Sequence, residues 1–291
     1  TATDLYAIRQ RINDLYFGIL LFDEKIQLNK DLQVLLQSNL DKLKSMLSHG
    51  IAMQSDVNTV MAEKLKAEQQ ATELASSRKN LTDMLAVFIG KEVTDLAMPQ
   101  DTAVSSQGNN RPELHLFDKQ IELANTQESL LNARLFPKLS VFAQGYYGYP
   151  GYDQFDAMFN HTWKLNGMVG VRLSWNIGAL YTRKNDRAKL NTRRGLIESV
   201  RETFLFNNHL LEIQQNDGIV KYRQLISDDR EIVSLLSDVR RAAESKLEHG
   251  IIDTNNLLQE ITRENQSRID LSTHTILMLK ENYDLKYTLN N

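Results

Sequence analysis

Apolar residues at Leu32, Leu35, Leu36, Leu40, Leu43 and Leu47 recur at spacings of three and four, which puts them on one face of a helix. Sliding along the chain by 200 residues finds Ile232, Leu235, Leu236, Arg240, Ala243 and Leu247, nearly the same stripe. The match runs upstream without a gap: Thr3 with Thr203, Leu5 with Leu205, Gly18 with Gly218, Ile19 with Ile219. Few residues are identical, but the phase holds. The chain carries an internal repeat.

Each stripe ends on the same tripeptide, His49-Gly50-Ile51 and His249-Gly250-Ile251. Glycine is the default residue just past a helix end, where the backbone turns left-handed, and a histidine one place earlier can face the last carbonyls. Candidate N-caps follow, Ser55 and Asp56 in the first copy and Thr254 and Asn255 in the second. Apolar periodicity then resumes at Val57, Val60, Met61 and Leu65, and at Leu257, Leu258 and Ile261. Each tripeptide is therefore predicted to be the tip of an antiparallel helical hairpin. Both histidines read as ordinary C-terminal helix residues, with a metal or proton-sensing role as the alternative. His115, His161, His209 and His274 show no ligand-like spacing, so no metal or other cofactor is expected.

Pro99, Pro112, Pro137 and Pro150 all fall in the central third, leaving residues 1–98 and 151–291 free of this helix breaker. Helices over 3–48 and 180–248 would run roughly 70 and 100 Å at 1.5 Å per residue. No single globular core fits rods of that size. They need neighbouring rods, in an oligomer or a filament.

The middle of the chain has another period. In "HTWKLNGMVGVRLSWNIG", Leu165, Gly167, Val169, Val171, Leu173 and Trp175 alternate with Asn166, Met168, Gly170, Arg172, Ser174 and Asn176. Period two predicts a strand with one apolar and one polar face. Its length and terminal tryptophan also fit a strand crossing an outer membrane. Leu139 to Tyr147 is the expected antiparallel partner, and the Tyr-, Gly-, Asp- and Asn-rich segment 148–163 an exposed loop. A half-buried sheet in a soluble protein explains the alternation too, but two strands alone are marginal and the chain offers no other hairpin to pair with them.

Composition narrows the function classes. A net charge of −3 gives no basic surface for nucleic acid, and the absence of cysteine excludes disulfides, thiolate metal sites and thiol nucleophiles. No apolar run approaches the roughly 18 to 20 residues of a spanning helix. No phosphate-cradling loop, nucleophile elbow or ligand cluster is present, so the chain does not read as an enzyme.

Several stretches resemble the TolC-like outer-membrane efflux proteins. "RPELHLFDKQIELANTQESLLNARLFPKLSVFAQ" (111–144) is similar to that family's helix-proline-strand passage, and "GMVGVRLSWNIG" (167–178) to the second strand of its hairpin. "LSHGIAMQSDV" and "LEHGIIDTNNL" resemble its two periplasmic hairpin tips. The resemblance implies a mainly α protomer of long, antiparallel, coiled-coil-like helical hairpins, an α-barrel stave with one β-hairpin of a membrane β-barrel. The divisions are 1–92 (first hairpin, tip near 50–55), 93–112 (irregular connector), 113–136 (helix), 137–178 (β-hairpin) and 179–291 (second hairpin, tip near 250–255). The connector reads equally as a plain linker or as the family's girdle around the tunnel, and Asn110 before Arg111-Pro112 reads as a helix start.

The same resemblance implies a homotrimer in the outer membrane of a Gram-negative bacterium with a periplasmic tunnel. Its implied partners are a periplasmic adaptor (membrane fusion) protein, an inner-membrane transporter and outer-membrane lipid. Such a protein is the passive exit duct of a tripartite efflux or type I secretion system. It further implies a β-hairpin before residue 1, because Thr1 matches Arg201, a position already inside the second long helix. Docking of the adaptor would fall to Gly50, Ile51, Gly250 and Ile251. The gate would use tip residues, of which Ser55 and Asp56 match the family's first-tip latch partners. The family's acidic ring falls on Asn256 and Gln259 here and its latch arginine on Ile252, leaving Asp253 and Glu260 as nearby substitutes. Asn166, Arg172 and Ser174 would face the barrel lumen, and Tyr147, Trp163 and Trp175 the membrane interfaces. The alternative reading is a soluble, elongated helical-bundle scaffold with a small β element.

Overall fold

The computed structural model describes residues 2–100 and 108–290. Among them the order is α1 (Ala2–Ser48), α2 (Gln54–Ile89), α3 (Pro112–Ala133), β1 (Lys138–Gly148), α4 (Gln154–Phe159), β2 (Lys164–Ser174), α5 (Gly178–Glu248) and α6 (Thr254–Leu289). Long helical hairpins with one antiparallel β-hairpin agree with the fold class read from the sequence. The chain divides into two compact units, Thr1–Pro112 with Leu205–Asn291, and Glu113–Phe204.

In the first unit α1 is the central element. Leu15 and Ile19 pack with Leu85 of α2, while Phe17 and Leu20 pack with Ile276 and Leu279 of α6. Towards the turns, Leu36, Leu40 and Leu43 join Val57 and Val60 of α2, Ala243 and Leu247 of α5, and Leu257 and Ile261 of α6 in one core. The apolar stripe of α1 is thus buried along its length. Those of α2 and α5 are wider than the chain can cover: Met61, Leu65, Ile232 and Leu235 are exposed, contrary to the periodicity reading. In α2 the reason is angular. Met61 and Leu65 lie at the flank of the Val57–Val60 line, where no helix of this chain packs.

The repeat persists in three dimensions. A Cβ on Gly18 would meet Leu81 Cδ1 at 2.9 Å, and one on Gly218 would meet Glu281 Cδ at 3.1 Å, the same pair of positions displaced by 200. Both long helices need a residue without a side chain where the returning helix crosses closely. The hairpins differ one turn from the tip core. Leu40 is buried in apolar contacts, whereas Arg240 is buried in ionic ones, bonded to Glu264 and, at 2.7 Å, to Glu244. Glu264 is only 3% exposed and also accepts from Arg268 at 2.6 Å.

The connector is tied down at both of its described ends, residues 101–107 lying outside the described residues. Tyr16 donates its hydroxyl to Ala97 O at 2.5 Å and Arg78 its guanidinium to Thr94 O at 3.1 Å. The Asn110 N–H donates to Leu289 O at 2.9 Å, capping a carbonyl that the end of α6 leaves without an intrahelical partner. Arg111 lies 4.6 Å over the Tyr6 ring and 4.7 Å over Tyr287, two rings themselves stacked at 4.7 Å. Pro112 then opens α3, at the position where a missing N–H is harmless.

The second unit holds α3, the β-hairpin, α4 and the beginning of α5. Glu128 of α3 binds Arg187 at 2.8 Å and also Arg194, and Phe117 meets Phe204 edge-on at 5.9 Å. Segment 148–163, read as loop, contains α4. Asp153 makes the helix possible by accepting from the N–H groups of Phe155 and Asp156, a capping bond that period counting cannot see.

The buried ion network gives a test. Burial pushes the Glu264 carboxyl up, but hydrogen bonds from Arg268 and Arg240 outweigh it and hold the group below its ordinary 4.5. A depressed carboxylate contributes stability that is complete above 4.5 and disappears as pH falls through the folded value. Arg240→Leu alone should cost about 3 kcal/mol by leaving Glu264 under-paired, whereas Arg240→Leu with Glu264→Leu should be near neutral. Urea unfolding should also show the double variant losing less stability than the parent below pH 4.5.

Candidate functional sites: two hairpin turns and an amphipathic ribbon

The two helix reversals are copies of one geometry. Gly50 has φ +73° and Gly250 φ +68°. The Gly50 N–H donates to Leu47 O at 3.0 Å and that of Ile51 to Met46 O at 2.9 Å. Their counterparts Gly250 and Ile251 donate to Leu247 O at 2.9 Å and Lys246 O at 2.8 Å. This paired-bond termination needs a left-handed residue, which glycine supplies without strain. His49 Nδ1 lies 2.7 Å from Ser45 O and His249 Nδ1 2.7 Å from Ser245 O. A carbonyl can only accept, so both rings carry the proton on Nδ1 and cap the last turn.

The helices after the turns begin earlier than the sequence reading placed them. Met53, not Ser55 or Asp56, precedes α2, and Asp56 reaches back from the first turn to accept from the Met53 N–H at 3.0 Å. Asp253, not Thr254 or Asn255, caps α6 and accepts from the Asn256 N–H at 2.8 Å. Polar residues come in runs at both starts, so composition cannot single out the cap. The extended backbone at Met53 and Asp253 does.

The gate candidates are not gathered into one cluster. Asp56 and Asp253 serve their own helix starts, and Glu260 pairs with Arg263 at 3.0 Å. Ser55 accepts the Thr59 hydroxyl on its carbonyl at 2.8 Å, while Asn256 and Gln259 are exposed on α6. A charge pair that the sequence reading missed does link the hairpins: Lys42 of α1 lies 2.8 Å from Glu248 of α5. Opposite charges on two helices carry no signal until the helices are placed side by side. At the tips Ile51 and Ile251 are 67% and 69% exposed.

In the β-hairpin the register pairs Leu139 with Leu173, Val141 with Val171, Ala143 with Val169 and Tyr147 with Leu165. Directly opposed residues share a face, so one side of the ribbon is apolar on both strands. The other side pairs Ser140 with Arg172, Gln144 with Met168 and Tyr146 with Asn166. Leu139, Val141, Leu165, Val169, Val171 and Leu173 are all exposed. Arg172 lies 5.2 Å over the Phe142 ring, and that ring covers Gly170, where a Cβ would come within 2.7 Å. Asn166 turns its amide to Gly148 O at 3.2 Å and Lys164 O at 3.0 Å; Ser174 ends β2.

Aromatic residues mark both ends of the ribbon. Tyr147 and Trp163 have ring centroids 6.1 Å apart at the loop end, and Trp175, just past β2, donates its indole N–H to Leu135 O at 2.9 Å at the helix end. Sequence alternation missed Phe155, Phe159, Phe136 and Tyr181, each exposed and each next to one of those ends. They lie outside the strands, so period two never reaches them. Each strand has eleven residues, the length that a strand tilted about 45° needs to span the apolar layer of a bilayer. No helix of the described residues is long and apolar enough to do so, and no group of three or more His, Asp or Glu among them could hold a metal ion.

No protein-family model and no curated protein matches the sequence. Solved structures match the fold. The outer membrane protein VceC from Vibrio cholerae superposes with a TM-score of 0.77 at 13% identity, over 98% of this chain and 70% of VceC. The Campylobacter jejuni CmeC outer membrane channel gives 0.73 at 11% identity, over 99% and 64%. The open state of the Neisseria gonorrhoeae MtrE outer membrane channel gives 0.73 at 13%, over 98% and 66%. The chain has the TolC-like fold of outer-membrane channel proteins, and it spans about two thirds of the length of these structures.

The turn geometry predicts the effect of removing either glycine. An added methyl at Gly50 or Gly250 meets no atom within 4 Å, so the penalty is conformational alone. Gly50→Ala and Gly250→Ala should each cost about 1–2 kcal/mol in urea unfolding.

Proposed function

We propose that the chain is the wall of an outer-membrane export channel: a homotrimer whose β-hairpins join one membrane barrel and whose helical hairpins line a periplasmic tunnel. The observation that carries this reading is the ribbon. An apolar face of six exposed Leu and Val residues, bracketed by exposed aromatics and backed by a polar face, matches lipid on one side and water on the other. A soluble scaffold would leave that face in water. The fold shared with VceC, CmeC and MtrE supports the same reading.

Further support comes from the helices. Met61 and Leu65 on α2, and Ile232, Leu235 and Val239 on α5, form exposed apolar flanks that neighbouring subunits would cover. The function is a conduit rather than catalysis. Substrate would arrive from an inner-membrane transporter through a periplasmic adaptor whose hairpins meet the Gly50–Ile51 and Gly250–Ile251 turns. Asn256 and Gln259 put no charge at the entrance, so a ring of negative charge there is not part of the proposal. The Lys42–Glu248 pair, with Asp253 and Glu260 nearby, supplies charge at the tip region instead.

Two experiments test the reading. Single cysteines at Val171 and Arg172 in the assembled protein should react very differently with a water-soluble maleimide, Arg172→Cys several-fold faster; equal rates, or the reverse order, would remove the barrel assignment. Ile51→Glu with Ile251→Glu leaves the left-handed glycines untouched and should abolish crosslinking to the adaptor while trimers persist in detergent. Unchanged crosslinking would refute docking at the turns.

A further inference from the structure

The helix end of the ribbon is strongly basic. Segments 127–140 and 175–194 together hold eight Lys or Arg residues against Glu128 and Asp186, in a chain whose net charge is −3. Both acids are already engaged, Glu128 with Arg187 and Arg194, and Asp186 with Lys189 at 3.9 Å. Arg134, Lys138, Arg183 and Lys184 are all exposed. Their positions are fixed by the chain. Arg134 follows the last residue of α3, Lys138 is the first residue of β1, and Lys184 is about 9 Å along α5 from its start.

Arg134, Arg183 and Lys184 lie beyond Phe136, Trp175 and Tyr181 along the chain, the aromatics that end the apolar face, whereas Lys138 is level with Ser174 on the polar face. The beginning of α5 adds to them. Its first turn has no acidic residue, so nothing there balances the positive end of the helix. The next turn brings Arg183 and Lys184, which add positive charge beside that end, Arg183 also donating to Asn132 Oδ1 at 3.3 Å. The loop end of the ribbon has no such excess, with Asp153, Asp156 and Lys164 there. Charge is therefore placed at one end of the apolar face and not at the other.

We propose that Arg134, Arg183 and Lys184 form a collar that binds the phosphate groups of anionic phospholipids in the leaflet at the helix end of the ribbon. The proposal rests on the membrane reading of the ribbon and adds to it a lipid class and a leaflet. The chemistry is that of long flexible cations reaching up to the headgroup layer from apolar surface, each charge worth about fivefold in affinity near an anionic surface and screened by salt.

Flotation with preformed vesicles tests it. Purified protein, diluted from detergent, is offered phosphatidylcholine vesicles or vesicles with roughly 30% phosphatidylglycerol, enough for a strong surface potential. The parent protein should bind both, the anionic vesicles at least tenfold more tightly, and 0.5 M NaCl, a roughly fourfold shorter screening range than dilute buffer, should remove the difference. The variant R134Q/R183Q/K184Q should keep neutral-vesicle binding and lose the preference, and R134K/R183K/K184R should retain it. A preference that is absent in the parent, or unchanged in the glutamine variant, overturns the collar while leaving the membrane ribbon standing. No binding to either vesicle overturns the ribbon reading and the collar with it.

Discussion

Everything in the first unit depends on where two helices reverse. In an antiparallel hairpin each residue faces one equally far from the turn, so the left-handed glycines at 50 and 250 set the register of every contact above them. Gly18 meets Leu81 and Gly218 meets Glu281 because the two turns are alike. A slip of one residue at either turn would rotate the returning helix by about 100° and carry its apolar stripe off α1. The hydrogen bonds from Ile51 and Ile251 back into the helix fix that register locally, before any packing is formed.

Given the register, α1 packs against α2 and α6, and α6 in turn against α1 and α5. Helices α2 and α5 are left with apolar flanks. A chain that buries one stripe and exposes another leaves apolar surface uncovered, and so does a two-stranded ribbon with an open face. In the channel proposed above, copies of the chain would cover the helices and lipid the strands. The ionic core at Arg240 and Glu264 fits this picture of specificity over bulk stability. A buried pair tolerates fewer alternative packings than the Leu40 contacts at the equivalent place in the first hairpin.

The tips and the ribbon use different physics. At the tips, Asp56 and Asp253 are bonded to backbone N–H groups, and Ile51 and Ile251 stand exposed beside them. At the ribbon, backbone pairing takes care of the strands and the side chains are free to sort by solvent. They sort into an apolar face, aromatic ends and a basic rim, the order that the proposed place in a bilayer calls for.

Periodicity determined much of this. The 3.6-residue stripes, the 200-residue repeat, the His-Gly-Ile turns and the alternation of 165–175 were legible because each is a local rule acting on consecutive residues. Local rules did not decide which of several polar neighbours caps a helix, as at Met53 and Asp253, or that Asp153 would nucleate α4 within an apparent loop. Nor could they say that Met61 and Ile232 stay exposed while Val57 and Ala243 are buried, since burial depends on which side a neighbour stands. Pairs such as Lys42–Glu248 and Arg240–Glu264, and the seating of Arg111 between Tyr6 and Tyr287, join residues far apart in the chain. Only the tertiary structure decided them, because an attraction between distant side chains has no meaning until the backbone has brought them within a few ångströms.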